Sequence, residues 1–225
     1  MVDIRYSENG KRGCAIRWKQ QHSCVRISNR LSKEKVSINA YLCGDGYITI
    51  RKDKNNEVHN DIQVYPDNLL LANFIVSLFE KEFNICPTIK KLKGYFSVRI
   101  KNKPACEHLL SFGSYGSLNW KMPEGLTDKF TKTWIRCFFD CEAHVNTYNR
   151  QIQVKSVNKL GLQDIQSKLA KLGISSKVYG PYKQKLAIHN DYFLLTIYGF
   201  SNLNRYQKLI SFNHPDKKIA LAKIL

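Results

Sequence analysis

The chain has 225 residues, 43% of them hydrophobic, which is enough for one large domain or two small ones with a real core. It carries 36 Lys and Arg against 18 Asp and Glu, a formal net charge of +18, which favours a polyanionic partner such as nucleic acid or an anionic membrane. No apolar run approaches the ~18 residues of a spanning helix, and the residues from Met1 to Arg5 lack the apolar stretch of a signal peptide. We therefore expect nucleic acid, and no membrane, as the partner.

The seven cysteines are odd in number and irregularly spaced, which is typical of reduced thiols. We therefore expect an intracellular protein, cytoplasmic or organellar, that is not secreted. Cys137 and Cys141 stand four positions apart on a predicted helix and could ligate zinc. Only His144 stands nearby, so the favoured interpretation is buried small residues.

The first 35 residues form a basic N-terminal extension. Residues 14–18 and 24–27 are predicted to be short strands. The extension could add a sheet, lie as an arm on nucleic acid, or be a solvated tail.

A first repeat is predicted over residues 36–116. Its predicted elements are, in order, helix 36–46, strands 47–52 and 61–65, helix 69–83, strands 88–92 and 95–101, and helix 105–112. Gly46 is a good helix-terminating residue, and the period-two alternation that follows it indicates strands with Ile48, Ile50, Ile62 and Val64 facing the core. The stripe of the second helix is predicted to be Leu70, Phe74, Ile75 and Leu78.

After a linker at residues 117–128, a second repeat over residues 129–225 follows the same order. Its predicted elements are helix 131–143, a strand around 152–154, helix 158–172, strands 176–180 and 193–198, and helices 203–211 and 216–225. The sequence Ile-Gln-Val occurs at Ile62 and again at Ile152. The predicted fold class is α+β, built as a pseudo-two-fold pair of α-β-β-α-β-β-α repeats.

Two short segments, residues 40–48 and 137–145, look like two copies of one sequence motif. Each is apolar, carries small residues four positions apart, and ends in an acid followed by Gly or Ala. The two acids, Asp45 and Glu142, are 97 residues apart. Small residues at i and i+4 let two helices approach closely, which would bring the helix ends and their acids together.

Two carboxylates held close to backbone carbonyls form a hard-oxygen site suited to Mg²⁺. Without a cation, the carboxylates would repel each other and one would stay protonated. On a protein of net charge +18, the natural use of such a site is metal-assisted attack on a phosphodiester. The alternative is two ordinary amphipathic helices that each end in a surface acid.

The paired segments resemble the LAGLIDADG motif of homing endonucleases, in the single-chain class that carries both motifs on one polypeptide. The resemblance covers roughly residues 36–225. It implies that Asp45 and Glu142 bind the catalytic divalent metal, Mg²⁺, for which Mn²⁺ or Ca²⁺ can substitute in binding. It also implies that Gly44 and Cys141 offer backbone carbonyls to that metal.

The motifs depart from the family pattern at a few positions that mostly serve packing. Cys43 replaces the inner acid of the first motif, whereas Asp140 supplies it in the second. Ala143 replaces the final Gly.

The resemblance implies a saddle-shaped sheet surface that lies in the major groove of a long duplex. The outward residues of the predicted strands are polar and mostly cationic. Arg and Gln can contact base edges, and Lys mainly holds phosphate. The predicted DNA-binding residues are Tyr47, Thr49, Arg51, Gln63, Tyr65, Lys91, Lys93, Arg99, Lys101, Arg150, Gln151, Gln153, Lys155, Lys177, Tyr179, Lys183 and Lys185. Lys217 and Lys218, in the segment that enters the last helix, are the candidate catalytic lysines, and a phosphate or solvent contact is their alternative role.

Together these features predict a monomeric, intron-encoded homing endonuclease that is sequence-specific and metal-dependent. It would break both strands of a long double-stranded DNA target, hydrolysing one phosphodiester per strand. The alternatives are an intron RNA maturase, with intron RNA as a further partner, or a non-cleaving DNA-binding protein of the same fold. An intein is disfavoured, because the chain starts at Met1 and lacks a C-terminal His-Asn pair.

Overall fold

Two four-stranded antiparallel sheets with packed helices form the fold in this computed structural model. The structure describes residues 25–183 and 190–225, apart from 53, 55 and 57. The first repeat contains α1 (Lys33–Asp45), β1 (Gly46–Lys52), β2 (Val58–Val64), α2 (Leu69–Phe83), β3 (Thr88–Lys91), β4 (Phe96–Lys101) and α3 (Lys103–Phe112). The second contains α4 (Asp128–Glu142), β5 (Ala143–Asn146), β6 (Gln151–Ser156), α5 (Lys159–Lys171), β7 (Lys177–Tyr182), β8 (Tyr192–Tyr198), α6 (Phe200–Leu209) and α7 (Pro215–Lys223). The predicted α+β class is confirmed. Within the described residues, none of the helices has the length and apolar character needed to cross a membrane.

The two sheets share one topology, because their strand orders are β1-β2-β4-β3 and β5-β6-β8-β7. Alternate strand residues face the helices, as the period of two predicts. Ile62 and Val64 are buried as expected. Ile50 lies on the same face of the sheet as Ile48, but it is 44% exposed, so the expectation that it packs in the core is wrong. It pairs with Asn60, two pairs from the turn that joins β1 to β2.

The apolar face of α2 is rotated relative to the predicted stripe. Leu71, Ile75 and Leu78 are buried, whereas Leu70 is 67% exposed. Asn68 caps the helix, and its Oδ1 accepts a hydrogen bond of 2.9 Å from the Leu70 N–H. Leu70 therefore lies in the first turn at the solvent edge, where it does not join the core.

The segment before α1 is fastened to the end of α2. The strand predicted at residues 14–18 lies outside the described residues. Residues 25–27 form no strand, which corrects the second predicted strand there. Instead, the Arg26 N–H donates to the Phe83 carbonyl at 2.9 Å. The fully buried Lys35 donates to the Arg30 carbonyl at 2.9 Å and pairs with Glu82 at 3.4 Å.

The connection between the repeats packs into the core. Trp120 is 2% exposed, and its ring centroid lies 4.5 Å from that of Phe138 on α4. Its carbonyl accepts from Asn158 Nδ2 at 2.7 Å, and its indole N–H donates to Ser156 Oγ at 3.2 Å. The linker residue Trp120 therefore belongs to the hydrophobic core of the second repeat.

Candidate active site

The helices α1 and α4 pack along each other and are in close contact where Gly44 meets Cys141. A Cβ placed on Gly44 would lie 2.6 Å from the Cys141 Cβ and 3.0 Å from its Sγ, so a side chain there would force the helices apart. Ala40 and Cys137, one turn earlier, are fully buried. The small-residue spacing therefore has the packing role that the sequence predicted, and Cys137 is a buried small residue, as the favoured interpretation expected.

Asp45 and Glu142 are the last residues of α1 and α4. Asp45 is open to solvent on one side and Glu142 is half-buried. Burial raises the pKa of the Asp45 carboxyl above its usual value. A hydrogen bond from the Cys141 thiol and the positive charge of Lys217 lower the same pKa and partly offset this effect. Burial and the neighbouring Asp45 raise the pKa of Glu142 to about 7, again opposed by Lys217. The two carboxylates therefore interact, and near neutral pH one of them holds a proton for part of the time.

Lys217 reaches the end of α4 from α7. Its Nζ donates to the carbonyl oxygens of Asp140 at 2.5 Å and Cys141 at 2.9 Å. The neighbouring Lys218 is exposed; its backbone N–H donates to the His214 carbonyl at 3.0 Å, and the structure shows no side-chain hydrogen bond or ion pair for it among the described residues. Of the two predicted catalytic lysines, the structure thus brings Lys217 to the acid pair and leaves Lys218 facing solvent.

A buried network holds the turn that precedes α7. Asp140, 1% exposed, accepts from the Tyr41 hydroxyl at 2.7 Å, from the Asn213 N–H at 2.8 Å and side-chain amide at 2.9 Å, and from the His214 N–H at 2.9 Å. His214 Nε2 lies 2.8 Å from Asp67 Oδ1. Sequence reasoning identified Asp140 as an inner acid and missed this network, since its partners are distant in the chain.

The oxygen donors at the helix ends fit a divalent cation. They are the carboxylates of Asp45 and Glu142 and the backbone carbonyls of Gly44 and Cys141. Among the described residues, no group of three or more His, Cys, Asp or Glu side chains could hold a metal. Mg²⁺ in nucleic-acid enzymes commonly takes one or two carboxylates, with waters and substrate phosphates completing the shell, so a pair of acids is sufficient.

A cavity of about 540 Å³ opens beside Glu142. Its lining includes Gly44, Tyr47, Trp120 and Lys155. The Lys155 ammonium lies 4.1 Å from the centroid of the Tyr192 ring, a cation–π contact. Two predicted DNA-binding residues, Tyr47 and Lys155, are thus brought next to the second acid.

The first sheet presents a polar face opposite its helices. Tyr47 pairs with Gln63, and Gln63 pairs with Arg99. Asp61 on this face is 3% exposed, and its Oδ1 lies 2.8 Å from the Arg99 guanidinium. Thr49, Arg51 and Lys101 share this face, and the rings of Tyr47 and Tyr65 lie 6.1 Å apart between centroids.

The pairing of β3 with β4 places Lys90 and Lys91 on opposite faces of the sheet. Lys90 pairs with Ser97 and so shares the polar face. Lys91 pairs with Phe96 and lies on the face that carries Val98. Lys90, and not Lys91, therefore belongs to the polar face, and the prediction that Lys91 binds DNA stays a prediction. Lys93 lies in the exposed turn that follows.

The second sheet repeats the polar face. Gln151, Gln153 and Lys155 on β6 alternate with buried neighbours, and Lys177 and Tyr179 on β7 lie on the same side. His144 pairs with Gln153 and joins this face. Arg150 occupies the exposed β5–β6 turn and Lys183 follows β7, whereas Lys185 lies outside the described residues.

Each repeat begins with a helix that ends in an acid, and each contributes a four-stranded sheet with one polar face. This arrangement is a LAGLIDADG-type fold. Residues 130–211 match the family model described as a LAGLIDADG-like domain. The resemblance predicted from the two motifs is confirmed.

Particular solved structures share the fold over most of the chain. I-DmoI in complex with DNA and Mn superposes with a TM-score of 0.61 at 14% identity, covering 79% of this chain and 96% of that one. I-DmoI with DNA and Ca gives a TM-score of 0.61 at 17% identity, covering 84% and 98%. Full-length DUF199/WhiA from Thermatoga maritima gives 0.53 at 11% identity, covering 88% and 61%.

Two curated relatives match over small parts of their own length. A probable translation initiation factor IF-2 from Thermococcus kodakarensis is 31% identical over 97 residues, which is 43% of this chain and 8% of that protein. A glutamine–fructose-6-phosphate aminotransferase from Methanocaldococcus jannaschii is 25% identical over 215 residues, 89% of this chain and 18% of that protein. The chain thus spans less than a fifth of either relative.

Proposed function

We propose that this chain is an intron-encoded homing endonuclease that makes a metal-dependent double-strand break in a long DNA target. The observation that carries the proposal is the placement of Asp45 and Glu142 on abutting helix ends, with Lys217 against one of those ends. The polar sheet faces and the net charge of +18 supply a surface for duplex DNA. Solved structures of the same fold are named as DNA complexes with Mn and Ca.

The acids and Lys217 would have different roles in hydrolysis. Asp45 and Glu142, with the carbonyls of Gly44 and Cys141, would hold Mg²⁺, which when bound activates water and stabilises the leaving oxygen. The Lys217 ammonium would offset negative charge that develops on the scissile phosphate. Each sheet would read one half-site, and because the two polar faces differ in sequence, the half-sites should differ too.

One chain would act on one duplex, because both acids come from a single polypeptide. We propose a monomer on this ground. Light scattering of the protein alone and of its DNA complex measures this directly, and a complex with two chains per duplex contradicts it. The two curated relatives bear unlike names and match over less than a fifth of their length, so neither name suggests an activity for this chain.

The test uses the DNA that flanks the gene's insertion point, with both flanks rejoined into one duplex. We expect wild-type protein and Mg²⁺ to give one double-strand cut, and Asp45→Asn and Glu142→Gln to abolish it while keeping DNA affinity. Asp164→Asn, a change at an exposed acid on α5, is the matched control and should cut normally. Cleavage that survives both site variants refutes the assignment of the acids.

A second candidate is a nucleic-acid-binding protein that does not cut. One observation favours it: the Cys141 carbonyl, a predicted metal ligand, already accepts a hydrogen bond from Lys217. A cation would have to share or displace that contact. Tight binding of the rejoined duplex with no cut in Mg²⁺ or Mn²⁺ would support this candidate, and the intron transcript would then be tested as the RNA partner of a maturase.

A further inference from the structure

We propose that a cavity at the N-terminal end of α1, lined by Arg26, Arg30 and Lys81, is an anion site that takes a phosphate group. A nucleic-acid backbone and free phosphate share the chemistry that such a site recognises. The proposal goes beyond the endonuclease function and does not depend on it, because the cavity lies away from the acid pair.

The cavity and the acid pair lie at opposite ends of α1. This helix contains 13 residues from Lys33 to Asp45, so its two ends are roughly 18–20 Å apart. The cavity is lined by residues that precede α1 and by the last turn of α2, whereas the polar faces of the sheets lie on the side opposite the helices. A duplex that lies on the polar faces and reaches Asp45 therefore leaves the cavity open to a second phosphate.

The cavity carries positive charge that its surroundings do not neutralise. Arg26, Arg30 and Lys81 are exposed, and none of the three forms an ion pair among the described residues. Glu82 is the acid in the lining; it is 8% exposed, and its carboxylate pairs with the buried Lys35 at 3.4 Å. The negative charge of Glu82 is thus balanced from inside the fold, and three cations line the cavity without a partner anion.

The backbone that carries the two arginines is held by hydrogen bonds. The Arg26 N–H donates to the Phe83 carbonyl at 2.9 Å, and the Arg30 N–H donates to Ser28 Oγ at 3.2 Å. The Nζ of the buried Lys35 donates to the carbonyls of Ser28 and Arg30, the latter at 2.9 Å. The backbone positions of the arginines are therefore set before a ligand binds, which lowers the entropy cost of binding.

The donors and the size of the cavity fit a phosphate ester. Each guanidinium group offers paired N–H donors that match two phosphate oxygens, and the lysine adds a further cation. A phosphate monoester carries a charge of about −1.5 to −2 near neutral pH, so it offsets more of the positive charge than a carboxylate does. The volume of about 350 Å³ lies at the small end of the range for small-ligand sites, roughly 300–1,000 Å³.

Thermal melts of the full chain in ~20 mM inorganic phosphate, against chloride of equal ionic strength, test the site. The variant Arg30→Met/Lys81→Met removes two charges and keeps apolar stems. The matched control, Lys33→Met/Lys129→Met, removes two exposed charges at the N-terminal ends of α1 and α4, outside the cavity lining. We expect phosphate to raise the Tm of the wild type and the control by at least about 2 °C more than that of Arg30→Met/Lys81→Met. The difference between proteins is the readout, because phosphate stabilises folded proteins in general.

Calorimetric titration with a deoxythymidine tetranucleotide separates the two sources of the phosphate. Tetranucleotide affinity at least ~10-fold above that of inorganic phosphate, and lost in Arg30→Met/Lys81→Met, assigns the site to a nucleic-acid backbone. Equal or weaker tetranucleotide affinity assigns it to free phosphate. An equal response of the wild type and Arg30→Met/Lys81→Met to both ligands, or an equal loss in the control, overturns the proposal. None of these measurements involves cleavage, so a chain that fails to cut DNA refutes the proposed function and leaves this proposal standing.

Discussion

The contact between α1 and α4 at Gly44 makes a strong prediction for Gly44→Ala. The added Cβ would lie 2.6 Å from the Cys141 Cβ, so the two helix backbones must separate. Overpacking of this kind costs about 1–3 kcal/mol, and replacing Gly by Ala near a helix end returns up to about 0.5–1 kcal/mol. We expect a net loss of about 1–2 kcal/mol, which for a chain of this size lowers Tm by about 2–8 °C.

A double-mutant cycle isolates that contact. Cys141→Gly removes the atoms that the new Cβ meets, so Gly44→Ala/Cys141→Gly should be more stable than the sum of the two single changes by about 1 kcal/mol. Thermal melts and urea titrations of the four proteins measure the coupling. Wild-type stability in Gly44→Ala, or strict additivity in the double variant, would falsify the view that close backbone approach sets the helix pair.

Three further changes have defined outcomes. Burial raises the pKa of Glu142 to about 7 from an ordinary 4.5, so ionisation of Glu142 opposes folding. In the absence of a divalent cation, the free energy of unfolding should therefore fall as pH rises from about 4.5 to 7. The Tm gain from Ca²⁺ should therefore be larger at pH 8 than at pH 6, and Glu142→Gln should lose that pH dependence in calorimetry. Tyr41→Phe removes the 2.7 Å hydrogen bond to Asp140 and should cost about 1–3 kcal/mol in urea unfolding. Lys35→Met leaves Glu82 buried without its partner and should cost about 3–5 kcal/mol, most of which Lys35→Met/Glu82→Leu should restore.

The parts of the fold that depend on local pattern were predictable from the sequence. The helix at 33–45 and its close packing on α4 follow from small residues four apart and from Gly46, and the buried Ile62 and Val64 follow from alternation. The acid pair was found for the same reason, because each acid ends a recognisable segment.

The errors lie where tertiary context decides. Ile50 has the right period but sits near the turn of the β1–β2 hairpin, where it is 44% exposed. The Asp140 network joins residues more than 70 positions apart in the chain, with separations of 73, 74 and 99. No local pattern signals such a contact, although the His214–Lys218 segment was already noted as the place of a candidate catalytic lysine.

The packing of Trp120 affects how the protein unfolds. The Trp120 indole, in the linker, packs against the aromatic side chains of α4, and its ring centroid lies 6.0 Å from that of Trp134. The Trp134 indole N–H in turn donates to Asn39 Oδ1 on α1 at 2.7 Å. The two halves therefore meet through the segment that joins them as well as through their helices. Neither half can melt alone without exposing that aromatic cluster, so the chain is built to unfold as one cooperative unit, and a chain nicked near Trp120 would not behave as two independent modules.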